Sequence, residues 1–179
     1  IDPLELKLSN RTFETRLLNG VFGALRDSSP DHWGRRIIER QFGSPGPNEL
    51  DYLLYSPDDR AGALGFGLNR EPPAPKRVFN RTLELERLQG LADAIIRDDP
   101  LPENPDTDQV HNLMEGGTSM GGARPKAVVE DEGALWLAKF NRPDDRWNHA
   151  RVERAMLELG RVCGIHTAES KLITVGDRD

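Results

Sequence analysis

The sequence has little cysteine, few aromatic residues and no long apolar run. Cys163 is the single cysteine, so an internal disulfide is impossible and a reducing cytoplasm is the expected compartment. The helical position of Cys163 predicts a small core residue rather than a reactive thiol. No apolar run approaches the roughly 20 residues that a transmembrane helix needs. With 6% aromatic and 30% charged residues, we expect a polar protein of one domain or two small ones.

The chain also lacks an initiator methionine, an excess of basic charge and a metal-binding pattern. It begins with Ile1 and has no secretory signal pattern, so we expect a truncated or processed chain. A net charge of −6 argues against nucleic-acid binding across the whole surface, although a local basic edge stays open. Asp58 and Asp59 are interpreted as a solvated turn. The histidines have no mutual metal spacing and are expected to be structural or exposed: His32, His111, His149 and His166.

Hydrophobic periodicity predicts further helices and strands. The expected helices run from Ser29 (N-cap) and Pro30 (first helical position) to Gly43, over 49–55, and from Thr82 through Ile96. The expected strands lie within 1–18 and over 63–66 and 171–175. Arg35, Arg36 and Arg40 are interpreted as a solvated helix face rather than a ligand site. Proline-rich breaks at 71–75 and 98–105 place a domain boundary near residue 100.

A glycine-rich loop followed by a predicted hairpin is the most informative stretch. Four glycines occur between 116 and 122, with Ser119 among them. Successive amide groups in such a loop can form a concave anion site. Lys126 then leads into a short apolar strand, 131–133 is a turn signal, and 134–140 has the alternation of a second strand.

The second predicted strand carries a lysine among apolar residues. Alternation places Lys139 on one face with Leu135 and Leu137, and buried lysines are rare unless they are paired. In the next helix, with Asn148 as N-cap and Gly164 as its stop, Glu153 adjoins an apolar stripe. The stripe consists of Val152, Ala155, Met156, Leu159 and Val162. Two alternatives stay open: a lysine that snorkels at a strand end, and a Glu153 that pairs with neighbouring arginines.

Glycine loop, hairpin, strand lysine and helix glutamate follow one another as in the N-lobe of a protein kinase. Ser119-Met-Gly-Gly-Ala-Arg-Pro-Lys126, then Trp136-Leu-Ala-Lys139-Phe and the Glu153 helix ending in Cys163-Gly-Ile165, resemble the HipA family, the serine/threonine kinases of type II toxin–antitoxin systems. Asp27–Arg35 and Asp58–Leu64 resemble the N-terminal subdomain of that family. The resemblance implies an α+β fold, with a HipA-type N-terminal subdomain over 1–100, a kinase N-lobe over 101–179 and the C-lobe absent.

The resemblance also implies a set of site residues. ATP phosphates would be bound by Lys139 and by the loop residues Gly121, Gly122, Ala123, Arg124, Pro125 and Lys126. Glu153 would form a structural ion pair with Lys139, and Ser119 would be the autophosphorylation site. A phosphate there would bring a charge of about −2 into the nucleotide loop.

The implied reaction transfers the γ-phosphate of ATP, with Mg²⁺, to serine on a translation-related target such as an aminoacyl-tRNA synthetase. The implied partner is a HipB-like helix-turn-helix antitoxin, through which operator DNA is mainly reached. No membrane partner is expected.

Two motifs that kinase chemistry requires are missing. The sequence contains neither H-R-D-x-x-x-x-N nor D-F-G, so it supplies no catalytic aspartate and no Mg²⁺ ligands, and we expect these residues by themselves to be inactive. A non-catalytic docking module is therefore the alternative. A remote third option is a serine hydrolase, because 117–121 fits G-x-S-x-G, but that elbow needs a preceding strand and a following helix.

Overall fold

A computed structural model describes residues 4, 6–7, 9–42, 45–56, 64–69, 71, 80–81, 84–100 and 122–179. The helices are α1 (Gly23–Asp27), α2 (His32–Phe42), α3 (Glu49–Tyr55), α4 (Leu85–Arg97) and α5 (His149–Val162). The strands are β1 (Asn80–Arg81), β2 (Lys126–Asp131) and β3 (Ala134–Lys139). Mixed helices and an antiparallel strand pair confirm the predicted α+β class, while the kinase N-lobe stays a prediction.

The described residues fall into two compact units. The first contains α1, α2 and α3, together with Gly122 and Ala123; the second contains β1, α4 and everything from Arg124 onward. The helix α4 thus lies in the same unit as the β2–β3 hairpin. The domain boundary near residue 100 stays a prediction.

In the first unit, α2 packs against α3 around a small apolar core. Ile37 and Ile38 are fully buried, and Trp33 and Leu53 are each only 2% exposed. Both helices occupy the predicted ranges, but the predicted N-cap of α2 is wrong. Asp31 Oδ1, rather than Ser29, accepts the Gly34 N–H at 3.0 Å, because the helix begins two residues after Pro30.

The two helices are also joined by a polar network. The guanidinium of Arg35 donates two hydrogen bonds to the Glu49 carboxylate, at 3.0 and 2.7 Å, and lies 4.2 Å from the Tyr52 ring centroid. Tyr52 in turn donates to Glu39 at 2.6 Å. Burial is the larger cause and the Glu39 carboxylate the next, and together they raise the pKa of Tyr52 to about 12. The interpretation of Arg35 as a solvated residue is therefore wrong, because a bidentate carboxylate from α3 holds it.

The Arg35–Glu49 pair predicts an acid-sensitive contribution to stability. The hydrogen bonds from Arg35 hold the pKa of Glu49 below its ordinary 4.5. A depressed folded pKa gives stability that is present above the unfolded value and lost as the pH falls through the folded value. At pH 7 we expect Glu49→Gln to lower the free energy of unfolding by about 1.5–3 kcal/mol.

The gap between Glu49→Gln and wild type should narrow as the pH falls below the unfolded value. Urea denaturation at several pH values measures it. Glu86→Gln, a change at an exposed residue of α4, is the control and should follow wild type throughout. A gap that stays constant from pH 7 to pH 3 would contradict the linkage.

In the second unit, a tight hairpin joins β2 to β3. The register pairs Asp131 with Ala134 and Lys126 with Lys139, and β1 adds two parallel residues beside Val129 and Glu130. Glu132 and Gly133 have φ of 50° and 80°, and positive φ at both central residues is what a type I′ turn requires. The predicted hairpin and its turn are confirmed.

The helix α5 has the predicted ends. Asn148 Oδ1 accepts the Arg151 N–H at 2.9 Å, and Gly164, at φ 80°, follows the last turn. Ile165 N–H then bonds Gly160 O at 2.9 Å and Gly164 N–H bonds Arg161 O at 3.0 Å, which is the Schellman pattern.

The apolar stripe of α5 is exposed in the described structure. Val152, Met156, Leu159 and Val162 are at least 51% exposed, and Cys163 is exposed rather than a core residue. Polar contacts set the rotation of the helix instead, since Glu153 bonds Lys139 and Arg154 bonds Ser170. The partly buried positions of the helix are His149, Ala150, Arg154, Leu157 and Gly160.

The other predicted strands do not form in the described residues. Leu6 makes only a single bridge, and 64–66 have no regular structure. Residues 171–175 are also irregular, with one bridge from Val175 to Arg178. A strand forms when its backbone hydrogen-bonds to a neighbouring strand. The described sheet has the order β1-β2-β3 and ends at β3, so residues 171–175 are not part of it. Asp58, Asp59, Thr82 and the first proline-rich break lie outside the described residues.

Candidate functional site

Two lysines stand side by side on one face of the β2–β3 hairpin. Lys126 and Lys139 are register partners, and the Phe140 N–H bonds the Pro125 carbonyl at 3.0 Å, just beyond that pair. Because hydrogen-bonded and non-hydrogen-bonded pairs alternate, Lys126 and Lys139 form a non-hydrogen-bonded pair. Their side chains are then at the closest spacing of the ladder, about 4.5–5.5 Å between Cβ atoms. Two like charges placed directly opposite each other repel.

The glutamate of α5 reaches the strand lysine. Lys139 Nζ donates a hydrogen bond to Glu153 Oε1, and each side chain is 47% exposed. Exposed ion pairs contribute roughly 0–1 kcal/mol to stability. The contact therefore orients the Lys139 ammonium more than it stabilises the fold.

A cavity of about 570 Å³ adjoins this ion pair. Lys139 and Glu153 lie on its wall, and Leu137, Leu157 and Ile173 contribute apolar surface. The cavity wall carries both cationic and carboxylate side chains around an apolar recess, which suits a ligand that has a polar part and a flat apolar part.

Two of the predicted loop residues have structural roles here. Pro125 is fully buried and its carbonyl belongs to the hairpin ladder. Arg124 donates to Asp145 Oδ2, and the Arg142 N–H donates to the same oxygen at 2.7 Å. Burial would raise the pKa of Asp145, but these hydrogen bonds outweigh it and lower the pKa. Arg124 therefore fixes the 142–145 loop.

The remaining predicted site residues are less informative. Gly122 has φ 119° and is exposed, as is Ala123. Ser119 and Gly121 lie outside the described residues. Within the described ranges, no group of three or more His, Cys, Asp or Glu residues could hold a metal ion. None of the described helices combines the length and the apolar character that a membrane crossing requires.

Sequence reasoning missed a buried polar network beside α5. Asn141 is 6% exposed, and its amide bonds both Asn148 and Asp179. Arg178 donates two hydrogen bonds to Asp93 of α4 and so connects two segments of the unit that are far apart in sequence. An asparagine placed directly after a strand and shortly before a predicted N-cap was the only sequence signal available for this network.

Comparison with known proteins agrees with the motifs of the glycine loop and hairpin. Residues 118–179, about a third of the chain, match a family model described as the HipA-like C-terminal domain. No curated protein and no solved structure matches the chain significantly. The matched segment includes Lys126, Lys139 and Glu153. Residues 118–179 are therefore similar to a HipA-like C-terminal domain, which confirms over that segment the predicted resemblance to the HipA family.

Proposed function

We propose that the Lys126–Lys139 face binds the phosphates of ATP and that the protein acts as a serine/threonine kinase of the HipA type. The observation that carries this proposal is the pair of lysines at the closest spacing of the ladder, one of which is oriented by Glu153. Two neighbouring lysines, one of them paired with Glu153, would offer charge-assisted hydrogen bonds to a polyphosphate.

The geometry supports a division of roles. Lys126 is 3% exposed, and in this proposal it would supply a fixed charge beneath the phosphates. Lys139 is half exposed and can follow the phosphates as the reaction proceeds, while Glu153 limits where its ammonium points. In the transfer step the serine oxygen bonds to the γ-phosphorus, the bond to the ADP oxygen breaks, and the hydroxyl proton leaves to a base.

The rest of the proposal follows the family. Magnesium would arrive as MgATP. The base and the protein ligands of the metal belong to parts of a HipA-like kinase beyond the described residues. Ser119 would take a regulatory phosphate, a helix-turn-helix antitoxin would bind the protein in the cytoplasm and contact operator DNA, and the substrate would be a protein of translation.

Calorimetric titration with MgATP tests the proposal. Lys126→Met keeps most of the apolar stem but removes the charge, and we expect it to weaken MgATP affinity at least tenfold, since a charge-assisted hydrogen bond is worth about 1.5–3 kcal/mol. Lys7→Met is the control, because Lys7 is an exposed lysine of the other compact unit and lies outside the cavity wall. Equal weakening in both variants, or no MgATP binding by wild type, contradicts the proposal.

The exposed stripe of α5 favours a second candidate function, a non-catalytic module that docks to an antitoxin. Val152, Met156, Leu159 and Val162 leave one helix face uncovered in the described structure, and an amphipathic helix face is a common docking element. Under this alternative, Met156→Asp should abolish antitoxin binding while Lys139→Met leaves it unchanged. Binding by the Met156→Asp variant at wild-type affinity would remove the candidate.

A further inference from the structure

We propose that Asn141 is a positioning residue that holds Glu153 against Lys139. The inference deepens the proposed phosphate site and rests on it for its functional meaning. Its basis is the way in which Asn141 connects the end of β3 to the first turn of α5.

Asn141 follows Lys139 by two residues and is almost fully buried. Its Oδ1 accepts the Ala150 N–H at 3.2 Å, and its Nδ2 donates to Asn148 Oδ1 at 2.9 Å. The same Nδ2 donates to the Asp179 carbonyl at 3.0 Å. One side chain thus uses its acceptor and both of its donor hydrogens.

The contacts make a two-residue cap at the start of α5. The first N–H groups of a helix have no partner inside the helix. Asn148 Oδ1 takes the third of them, from Arg151, and Asn141 Oδ1 takes the second, from Ala150. Asn148 takes only one of these N–H groups, so Asn141 completes the cap and at the same time connects α5 to the end of β3.

That connection fixes the distance between the two halves of the ion pair. Lys139 is the last residue of β3, and Glu153 lies one turn beyond the start of α5. The seven residues from Arg142 to Asn148 contain no helix or strand, so the polypeptide alone would let the helix shift relative to the strand. Asn141 bridges this loop directly, and Asn148 is held a second time by its 2.7 Å bond to the Asp179 carboxylate.

The exposure of the ion pair makes such support necessary. Lys139 and Glu153 are each 47% exposed, so water competes with each side chain for its partner. Holding two long side chains in a single geometry also costs conformational entropy. A helix whose start is fixed to the strand keeps Glu153 within reach. Without Asn141, α5 would keep its N-cap and the bond of Arg154 to Ser170, but its start would lose the direct connection to the end of β3.

The test observes the Lys139 ammonium itself. In proton–nitrogen spectra at low temperature, a lysine ammonium bonded to a carboxylate exchanges slowly with water and gives its own signal. Lys139→Met assigns that signal, and Glu153→Gln supplies the unpaired reference. We expect Asn141→Ala to move the Lys139 signal to the Glu153→Gln position and to weaken MgATP affinity roughly tenfold, as do other residues that only orient a binding side chain.

Asn48→Ala is the matched control. Asn48 is also an N-cap, since its Oδ1 accepts the backbone N–H groups of Leu50 and Asp51 at 2.8 and 3.1 Å. It caps α3, which belongs to the other compact unit. It should lose comparable stability and leave the Lys139 signal unchanged. If Asn141→Ala acted only by lowering the overall stability, the Lys139 signal should stay unchanged in both Asn141→Ala and Asn48→Ala.

Two results overturn the inference: a Lys139 signal in Asn141→Ala equal to that of wild type, or a wild-type signal equal to the Glu153→Gln reference. Where Asn141→Ala does not fold, Asn141→Ser decides in the same way, because serine is polar but too short to make the bonds of Asn141 to both Ala150 and Asn148. Absence of MgATP binding by wild type would refute the proposed function alone, since the ammonium signal reports the ion pair without nucleotide.

Discussion

Lys139→Met should reduce the rate of phosphoryl transfer to serine by about 100- to 1000-fold, the cost of removing one preorganised group that stabilises transferring charge. The reason is local. Lys139 is the more exposed of the two facing lysines and the one that Glu153 orients. Methionine retains the length and the apolar stem, so the hairpin should keep its stability.

The measurement is transfer of labelled phosphate from MgATP by the protein in its full natural length. The loss should appear mainly in kcat, because a contact that is strongest in the transition state lowers kcat and kcat/KM together. Lys7→Met, a change at an exposed lysine of the other compact unit, should transfer phosphate at the wild-type rate. Normal turnover by Lys139→Met would refute the assigned role.

The second large effect concerns the core of the first unit. Ile37 is completely buried between α2 and α3, and we expect Ile37→Ala to lower the free energy of unfolding by about 2–5 kcal/mol, the cost of lost burial plus the remaining cavity. The free energy of unfolding of a native protein is commonly about 5–15 kcal/mol, so we expect this one change to remove a large part of it.

Urea denaturation followed by circular dichroism measures the effect of Ile37→Ala. Leu50→Ala is the control in the same unit, because Leu50 is 60% exposed and its truncation should change stability by less than about 0.5 kcal/mol. Similar losses in the two variants would show that Ile37 does not belong to a packed core.

The sequence predicted well the elements that are fixed by local signals. The Asp-Glu-Gly turn and the flanking alternation identified the β2–β3 hairpin, and Asn148 and Gly164 marked both ends of α5. Each of these signals acts over a few residues, through positive φ or a side-chain cap, and needs no distant partner.

Orientation could not be predicted in the same way. The apolar stripe through Met156 indicated a buried face, yet the contacts Lys139–Glu153 and Arg154–Ser170 set the rotation of α5. Residues 171–175 have strand composition, but composition does not provide a neighbouring strand. The contact between Lys139 and Glu153 was expected from family resemblance, because helical periodicity alone could not choose between Lys139 and the nearby arginines.

The candidate site was predictable in its cations but not in its supports. Lys126 and Lys139 stand out as lysines in apolar strands. Asn141 and Asp145 look like ordinary loop residues, and only the folded arrangement shows that they hold α5 and Arg124. Such supports depend on pairs of residues that no periodic pattern relates.

The two compact units are interleaved along the chain, and this has a consequence during synthesis. The helix α4 buries Leu88, Leu91 and Ile95 in a unit whose described elements β2, β3 and α5 all follow Arg124. At about 5–20 residues per second, the ribosome needs roughly 1.5–6 s after completing α4 before β2 begins to emerge. During that interval the nascent helix presents an uncovered leucine and isoleucine surface, so early chaperone engagement should centre on α4 rather than on α2, whose partner α3 follows it directly.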